Sequence, residues 1–381
     1  MTVLLCVIYL SFISLGLPDS LLGAAWPTMR LELGAPLPLA GALSMMCAGG
    51  TIVSSLMSAR LIRRFGTGLV TLVSVGMTAV ALVGYALAPS PWLLFVAAIP
   101  LGLGAGSVDA ALNNYVALHY AAKHMSWLHC FWGVGATLGP MILSASLATG
   151  GSWRGGYGII IVLQAALTAV LARSLPLWKH AEGDAPAGQE PGQATITNAQ
   201  ALRLPGMKAV LLTFFCYCAV EASVSLWTAS YMTEVRGMTA EQGALAASLF
   251  FLGITLGRGL NGFLAIRFPS KVLIRAGACL MLAASLLLLL SPVSALCFAA
   301  VCLFGLGCAP VYPCTIHETP RRFGAAASQA ATGLQMAMAY TGSTFMPPLL
   351  GLISRQTGLQ IFPWWMLVIT AVMVLASERS K

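Results

Sequence analysis

The sequence predicts an all-α integral membrane protein with twelve transmembrane helices in two six-helix repeats. Three features lead to this prediction: the composition, the regular spacing of apolar runs, and an internal match between the two halves. The chain has 381 residues, of which 58% are hydrophobic and only 8% are charged. A soluble domain carries about 25% charged residues, so this chain cannot cover a surface that faces water. Soluble enzymes and disordered proteins are therefore excluded.

Apolar runs long enough to cross a membrane recur along the whole chain. A helix needs about 20 apolar residues to span the hydrocarbon core. Twelve runs meet this requirement, at residues 2–25, 36–58, 67–88, 91–118, 126–148, 155–175, 206–232, 239–264, 270–291, 293–316, 326–353 and 359–376. All ten cysteines fall inside these runs. We expect them to act as small apolar residues and expect no metal site.

The 20 Lys and Arg residues are distributed unevenly between the loops. Only Arg30, Arg154, Arg236 and Arg355 fall in loops on one side, Arg258 falls inside a run, and the others fall on the opposite side. Basic loops remain in the cytoplasm, so both termini are predicted to be cytoplasmic. The net charge of +9 is therefore a topology signal. Anionic membrane lipids are the expected partner of these residues, and no nucleic acid is expected.

One polar segment separates the first six runs from the last six. Residues 176–205 contain prolines, glycines and charged residues with almost no apolar periodicity, which is typical of a flexible linker. We therefore expect an N-terminal six-helix bundle at 1–175, a cytoplasmic linker at 176–205, and a C-terminal six-helix bundle at 206–381.

The two halves match each other when the chain is shifted by 203 residues. This shift aligns Leu101-Gly-Leu-Gly104 with Phe304-Gly-Leu-Gly307, and it places Asp109 opposite Tyr312. It also aligns the basic-aromatic turns that follow the second run of each half. Parallel six-helix repeats are a transporter architecture in which substrate is held near the bilayer midplane.

Several segments resemble the major facilitator superfamily over essentially the whole chain, and most closely its fucose–galactose–glucose–proton symporter family. The segments that carry the resemblance are Gly16–Gly23 with Trp26-Pro27, Gly102–Gly106 with Asp109 and Asn113-Asn114, Leu128–Gly133, Gly139-Pro140, Glu221 with Trp227, Pro310–Pro313, and Gly333–Gln335. The loop after the second run departs from the superfamily pattern, because Arg63 stands where an acidic residue is usual. The usual salt bridge of the cytoplasmic gate must then be made differently or be absent.

The resemblance implies the major facilitator fold and a secondary active transporter, not an enzyme. It implies proton symport of a small polar solute, a monosaccharide or sugar derivative, by alternating access in a bacterial inner membrane. A proton-coupled exporter of drugs or metabolites, a sodium-coupled sugar carrier, and a receptor built on a carrier fold are the alternatives. We expect a monomer and no cofactor beyond the driving gradient of protons or sodium.

Three acids lie well inside the runs, at Asp19, Asp109 and Glu221. Ionisable residues at bilayer depth are costly and usually functional, so we expect these acids and His129 to handle protons. Asp109 and Asn113 are four residues apart and so share one helix face. The symporter resemblance assigns the principal proton-handling role to Asp109. Pro18 is expected to break the first helix beside Asp19.

Substrate contacts are expected from polar and aromatic residues inside the runs. Carboxylates and amides bond sugar hydroxyls, and tryptophan rings stack on sugar rings. The candidates are Asp19, Trp26, Asn113, Asn114, Glu221, Trp227, Tyr312 and Gln335. Trp227 follows Glu221 by six residues, about 120° around the helix, so these two need not meet at one ligand.

Gating is expected from charged residues at the cytoplasmic ends of the helices. The candidates are Arg63, Arg64, Arg258, Arg267 and Glu318. Because Arg258 is the basic residue embedded in a run, we predict that it pairs with Glu318 as a cytoplasmic latch in the outward-open state.

Overall fold

The computed structural model describes residues 2–120, 122–182, 197–291 and 293–379. Every regular element in these ranges is helical, and the helices fall into two compact units. Unit 1 comprises Met1–Ala187 and Met238–Ser248, and unit 2 comprises Gly188–Gly237 and Leu249–Lys381.

The N-terminal half of the chain forms seven helices. They are α1 (Thr2–Asp19), α2 (Leu21–Glu32), α3 (Leu39–Phe65), α4 (Thr67–Leu87), α5 (Pro91–His119), α6 (Ala122–Ala148) and α7 (Trp153–Glu182). Within unit 1, α1 packs on α6, and α5 packs on both α3 and α4.

The C-terminal half continues the numbering. Its helices are α8 (Asn198–Ala201), α9 (Met207–Glu234), α10 (Ala240–Arg267), α11 (Ser270–Leu290), α12 (Ser294–Cys308), α13 (Val311–Phe323), α14 (Ala325–Thr357) and α15 (Phe362–Arg379). A short 3₁₀ turn, Leu359–Ile361, precedes α15. Within unit 2, α9 packs on α14 and α15, and α11 packs on α12.

Eleven helical segments of the described chain are long and apolar enough to cross a membrane. Two of them, Val3–Glu32 and Ser294–Phe323, each consist of two consecutive helices. The twelfth predicted span corresponds to α14, which is 33 residues long but carries Gln, Ser and Thr along its length. Large apolar side chains are exposed on both units, including Leu56, Val80, Phe263 and Leu290, as lipid contact requires.

The predicted linker overlaps the described helices at both of its ends. Helix α7 continues through Pro176 to Glu182, and α8 lies at Asn198–Ala201. A capping box formed by Thr197 and Gln200 starts α8. The remainder of the predicted linker, residues 183–196, lies outside the described residues, so its flexibility stays a prediction.

The first span is broken beside Asp19, as the position of Pro18 predicts. Helix α1 ends at Asp19, and α2 begins at Leu21 after a single residue. Proline has no backbone N–H to donate to the preceding turn, and the polar groups released there must find other partners. The tenth span has a comparable break, because α12 ends at Cys308 and α13 begins after Pro310.

Close helix contacts at glycines confirm the internal repeat. A Cβ on Gly102 would lie 2.1 Å from the Cys47 carbonyl oxygen, and a Cβ on Gly305 would lie 2.1 Å from the Phe250 carbonyl oxygen. Both residues of the first contact differ from those of the second by 203 positions. The contact of Gly104 with Ser74 likewise recurs as that of Gly307 with Gly277. Glycine permits this approach of two backbones because it has no side chain.

Replacement of Gly102 by alanine is expected to destabilise unit 1. The added methyl group would meet a backbone carbonyl, which cannot move aside without separating α3 from α5, and overpacking of this kind costs about 1–3 kcal/mol. Gly158→Ala is the matched control, because nothing lies within 4 Å of a Cβ built there. Thermal unfolding of the purified variants tests this, and equal melting temperatures for the two would contradict it.

Candidate functional site

Unit 1 places Asp109 and Asn113 in direct contact on α5. The Asn113 amide nitrogen donates a 2.9 Å hydrogen bond to the Asp109 carboxylate and another of 2.9 Å to the Asp109 backbone carbonyl. Both side chains are half-buried, and the neighbouring Asn114 is exposed. These hydrogen bonds confirm that Asp109 and Asn113 share one face of the helix, as predicted. Gly102 and Gly106 of α5 pack against the backbone of α3, so the space beside these two glycines is filled by α3.

Asp19 is exposed at the break between α1 and α2 and is held by Trp132 of α6. The indole N–H of Trp132 donates a 2.9 Å hydrogen bond to the Asp19 carboxylate. Asp19 and Asp109 lie on helices that contact each other, because α1 packs against α5. Small residues bring α1 and α6 together here, because a Cβ on Gly16 would lie 2.2 Å from the Trp132 carbonyl oxygen.

Trp132 is a site residue that the sequence reasoning missed. It lies in the Leu128–Gly133 segment that carries the family resemblance, three residues before Gly135. Gly135 also packs against the backbone of α1. A polar aromatic residue beside a glycine that brings two helices together is the signal that could have identified it.

Unit 2 contains an ion pair between Glu221 of α9 and Arg258 of α10. The Arg258 Nη2 atom lies 3.8 Å from the Glu221 Oε1 atom, and each side chain is 19% exposed. Tyr217 lies one turn before Glu221 on α9, and its ring is 6.4 Å from the Tyr312 ring between centroids. The Tyr312 hydroxyl also lies 3.4 Å from the Met336 sulfur. Two predicted site residues, Glu221 and Tyr312, therefore lie near Tyr217 in one part of unit 2.

In this structure Arg258 pairs with Glu221, and the predicted outward-open latch with Glu318 stays a prediction. Arg258 precedes the end of α10 at Arg267 by nine residues, or about 13 Å along the axis. Glu318 lies near the end of α13, where it lines a small cavity with Lys271, Arg275 and Arg322. A cation at low dielectric takes the nearest acid at its own depth, and here that acid is Glu221.

Three of the expected substrate contacts are internal packing groups in this structure. Trp26 and Trp227 are both 0% exposed, with indole N–H groups bonded to the carbonyls of Leu37 at 3.0 Å and Pro347 at 2.9 Å. Gln335 is also fully buried and accepts a 3.1 Å hydrogen bond from Thr319. In this structure the three side chains are enclosed: Trp26 bonds the turn before α3, Trp227 bonds α14, and Gln335 bonds α13.

His129 is half-buried on α6, with its ring edge-on to Phe12 at 6.1 Å between centroids. A second histidine of this helix, His124, lies 2.7 Å from the Tyr9 hydroxyl. The relay from His129 to Asp109 stays a prediction.

The arginines predicted to take part in gating lie at helix ends. Arg63 and Arg64 are exposed in the last turn of α3, where Arg64 lies over the Phe65 ring at 5.2 Å. Arg267 is exposed in the last turn of α10. Their role in gating stays a prediction.

The sequence profile of the Major Facilitator Superfamily matches residues 8–316 and 209–377. The chain belongs to this superfamily. Its relatives include Bypass of stop codon protein 6 of Saccharomyces cerevisiae, 24% identical across 98% of this chain and 81% of that protein. An uncharacterized MFS-type transporter of Yersinia pestis is 23% identical across 84% of this chain and 81% of its own length.

Two solved structures have the same superfamily fold. A point mutant of the nucleoside transporter NupG aligns with a TM-score of 0.78 at 14% identity, covering 98% of each chain. A bacterial homologue of the human lysosomal transporter Spinster, in an inward-facing and unoccupied conformation, aligns with a TM-score of 0.73 at 14% identity, covering 100% of this chain and 96% of its own. The protein is therefore a multi-pass membrane transporter and not an enzyme.

A double-mutant cycle should couple Arg258 to Glu221 and not to Glu318. Removal of one member of a pair leaves the other charge uncompensated, so Glu221→Gln and Arg258→Gln together should cost less than the sum of the single changes. A coupling of about 1 kcal/mol is expected. The cycle of Arg258→Gln with Glu318→Gln is the control and should be additive. The measurement is the free energy of unfolding in detergent. Coupling of Arg258 to Glu318 alone would contradict this prediction and support the latch.

Proposed function

We propose that this protein imports a monosaccharide or sugar derivative together with protons, by alternating access. The observation that carries the proposal is the Asp109–Asn113 pair on α5, with its 2.9 Å hydrogen bond between amide and carboxylate. An ionisable side chain within an apolar span is costly to retain. A carboxyl group there can take up a proton on one side of the membrane and release it on the other.

The polar groups around Asp109 suit a hydroxyl-rich solute. Asp19 accepts hydrogen bonds, Asn113 and Asn114 both donate and accept, and the Trp132 indole donates. Asp19 and Asn114 are exposed, and Asn113 is half-buried. An exporter of apolar drugs is expected instead to present methionine and phenylalanine, and its substrates are the alternative outcome of the test below.

The distribution of basic residues supports the proposed topology and the contact with lipid, whereas the other parts of the proposal come from the family resemblance. Both termini are cytoplasmic, the membrane is the bacterial inner membrane, and the protein works as a monomer in contact with anionic lipids. The driving force is the proton gradient, and no resident cofactor takes part.

Asp109→Asn should abolish accumulation of sugar driven by a proton gradient. The amide cannot release a proton, yet it keeps the shape and most of the hydrogen-bonding capacity of the acid, so exchange of labelled for unlabelled sugar across the membrane should continue. The measurement is uptake by proteoliposomes, with and without an inward proton gradient, of a monosaccharide selected by thermal shift. Glu241→Gln, in the first turn of α10, is the control and should accumulate sugar normally.

The other outcomes of this experiment are equally decisive. Accumulation by Asp109→Asn at the normal level would remove the coupling role from this acid. Accumulation that follows a sodium gradient would replace the driving ion. Binding of lipophilic cations with no response to any sugar would show an exporter instead.

A further inference from the structure

Arg258 is a cation deep within a membrane span, and helix packing does not account for it. It belongs to α10, whose two other basic or acidic charges, Glu241 and Arg267, lie in its first and last turns. A charged side chain near the middle of a span costs about 2.5–3.5 kcal/mol on insertion scales. The ion pair with Glu221 reduces this cost, but replacement of both residues by apolar ones would remove it altogether.

The internal repeat shows that the fold itself does not need this charge pair. The residues of unit 1 that lie 203 positions before Arg258 and Glu221 are Ser55 and Pro18. Ser55 donates a 3.2 Å hydrogen bond to the Gly106 carbonyl, which is an ordinary neutral contact between α3 and α5. The ion pair itself joins α9 to α10, and unit 1 carries uncharged residues at both matching positions.

The geometry of the Arg258–Glu221 pair allows another anion to take the place of Glu221. Its 3.8 Å separation exceeds the 2.7–2.9 Å typical of a charge-assisted hydrogen bond between a guanidinium and a carboxylate. Each side chain keeps 19% of its surface exposed. A guanidinium carries five N–H donors in a planar fork that matches a carboxylate in bidentate geometry. Glu221 at this distance is a weak partner that a ligand carboxylate can displace.

The neighbours of Arg258 indicate which kind of anion fits. Tyr217 precedes Glu221 by one turn of α9, and the Tyr312 ring lies 6.4 Å from the Tyr217 ring between centroids. Tyrosyl hydroxyls both donate to and accept from sugar hydroxyls. Exchange of the Glu221 carboxylate for one ligand carboxylate keeps a single negative charge facing the guanidinium, whereas a phosphate monoester would bring two. A single carboxylate on a hydroxylated carbon chain matches these groups best.

We infer that Arg258 binds a carboxylate of the transported solute, so that the substrate is an acidic sugar derivative, a uronate or aldonate, and not a neutral monosaccharide. This inference rests on the proposed function and narrows its substrate. Glu221 holds the guanidinium when no anionic ligand is bound, and the ligand carboxylate takes its place. Tyr312, which is half-buried, bonds the hydroxyl group nearest that carboxylate.

The test is a binding measurement on the full-length protein in lipid nanodiscs by titration calorimetry. The probes are D-galacturonate and D-gluconate, with D-galactose as the neutral match, galactose 1-phosphate as the dianion and acetate as the carboxylate alone. The acidic sugars should bind at least tenfold more tightly than galactose, and acetate should bind weakly. Arg258→Gln should abolish this preference, whereas Glu221→Gln should keep or strengthen it because the competing carboxylate is gone.

Two variants keep the experiment decisive. The double variant Glu221→Gln/Arg258→Gln has no charge at either position, so it should fold even where Arg258→Gln alone does not. It should also lack the preference for acidic sugars. Arg275→Gln is the matched control, because this arginine also bonds an acid, Glu378, at a separate place in unit 2, and its loss should leave the preference intact.

Each contrary result has a separate meaning. Galactose binding as tight as that of galacturonate, or an acid preference that survives loss of Arg258, would overturn the inference and leave the proposed sugar transporter standing. Tighter binding of the phosphorylated sugar would overturn the assignment to a carboxylate. Failure of every sugar to bind, acidic or neutral, would overturn the proposed function as well.

Discussion

The absence of water in the bilayer core is the constraint on which the rest of this structure depends. Backbone N–H and C=O groups at that depth must bond within the chain, so each span is a helix. Helices in lipid gain little from the hydrophobic effect and are held by close packing. Gly102 against the Cys47 carbonyl and Gly305 against the Phe250 carbonyl provide that packing at equivalent places in the two repeats.

The same constraint makes the position of each polar side chain informative. Asp109 is bonded by Asn113, Asp19 by Trp132, and Arg258 is paired with Glu221. In unit 1, neutral donors bond Asp19 and Asp109, whereas in unit 2 the acid Glu221 faces a cation. Two repeats with matching helix contacts thus carry different chemistry, and this difference is where recognition of a solute can arise.

The sequence could predict those parts of the site that lie on one helix. Asp109 and Asn113 share a face because the spacing of four residues determines it, and the break beside Asp19 follows from the chemistry of Pro18. Partners on different helices could not be predicted in this way. Periodicity shows that Trp26, Trp227 and Gln335 lie in spans, but it does not show that their polar atoms turn inward to neighbouring helices.

By itself, the sequence determined the membrane class, the helical spans, the repeat and the acids inside the spans, because hydropathy and helix period are local properties of the chain. The tertiary structure decided which polar group meets which. It brought Trp132 to Asp19 and Arg258 to Glu221, although 113 residues separate the first pair. Such contacts depend on the depth and rotation of each helix within its bundle, and glycine packing sets these only once the helices have come together.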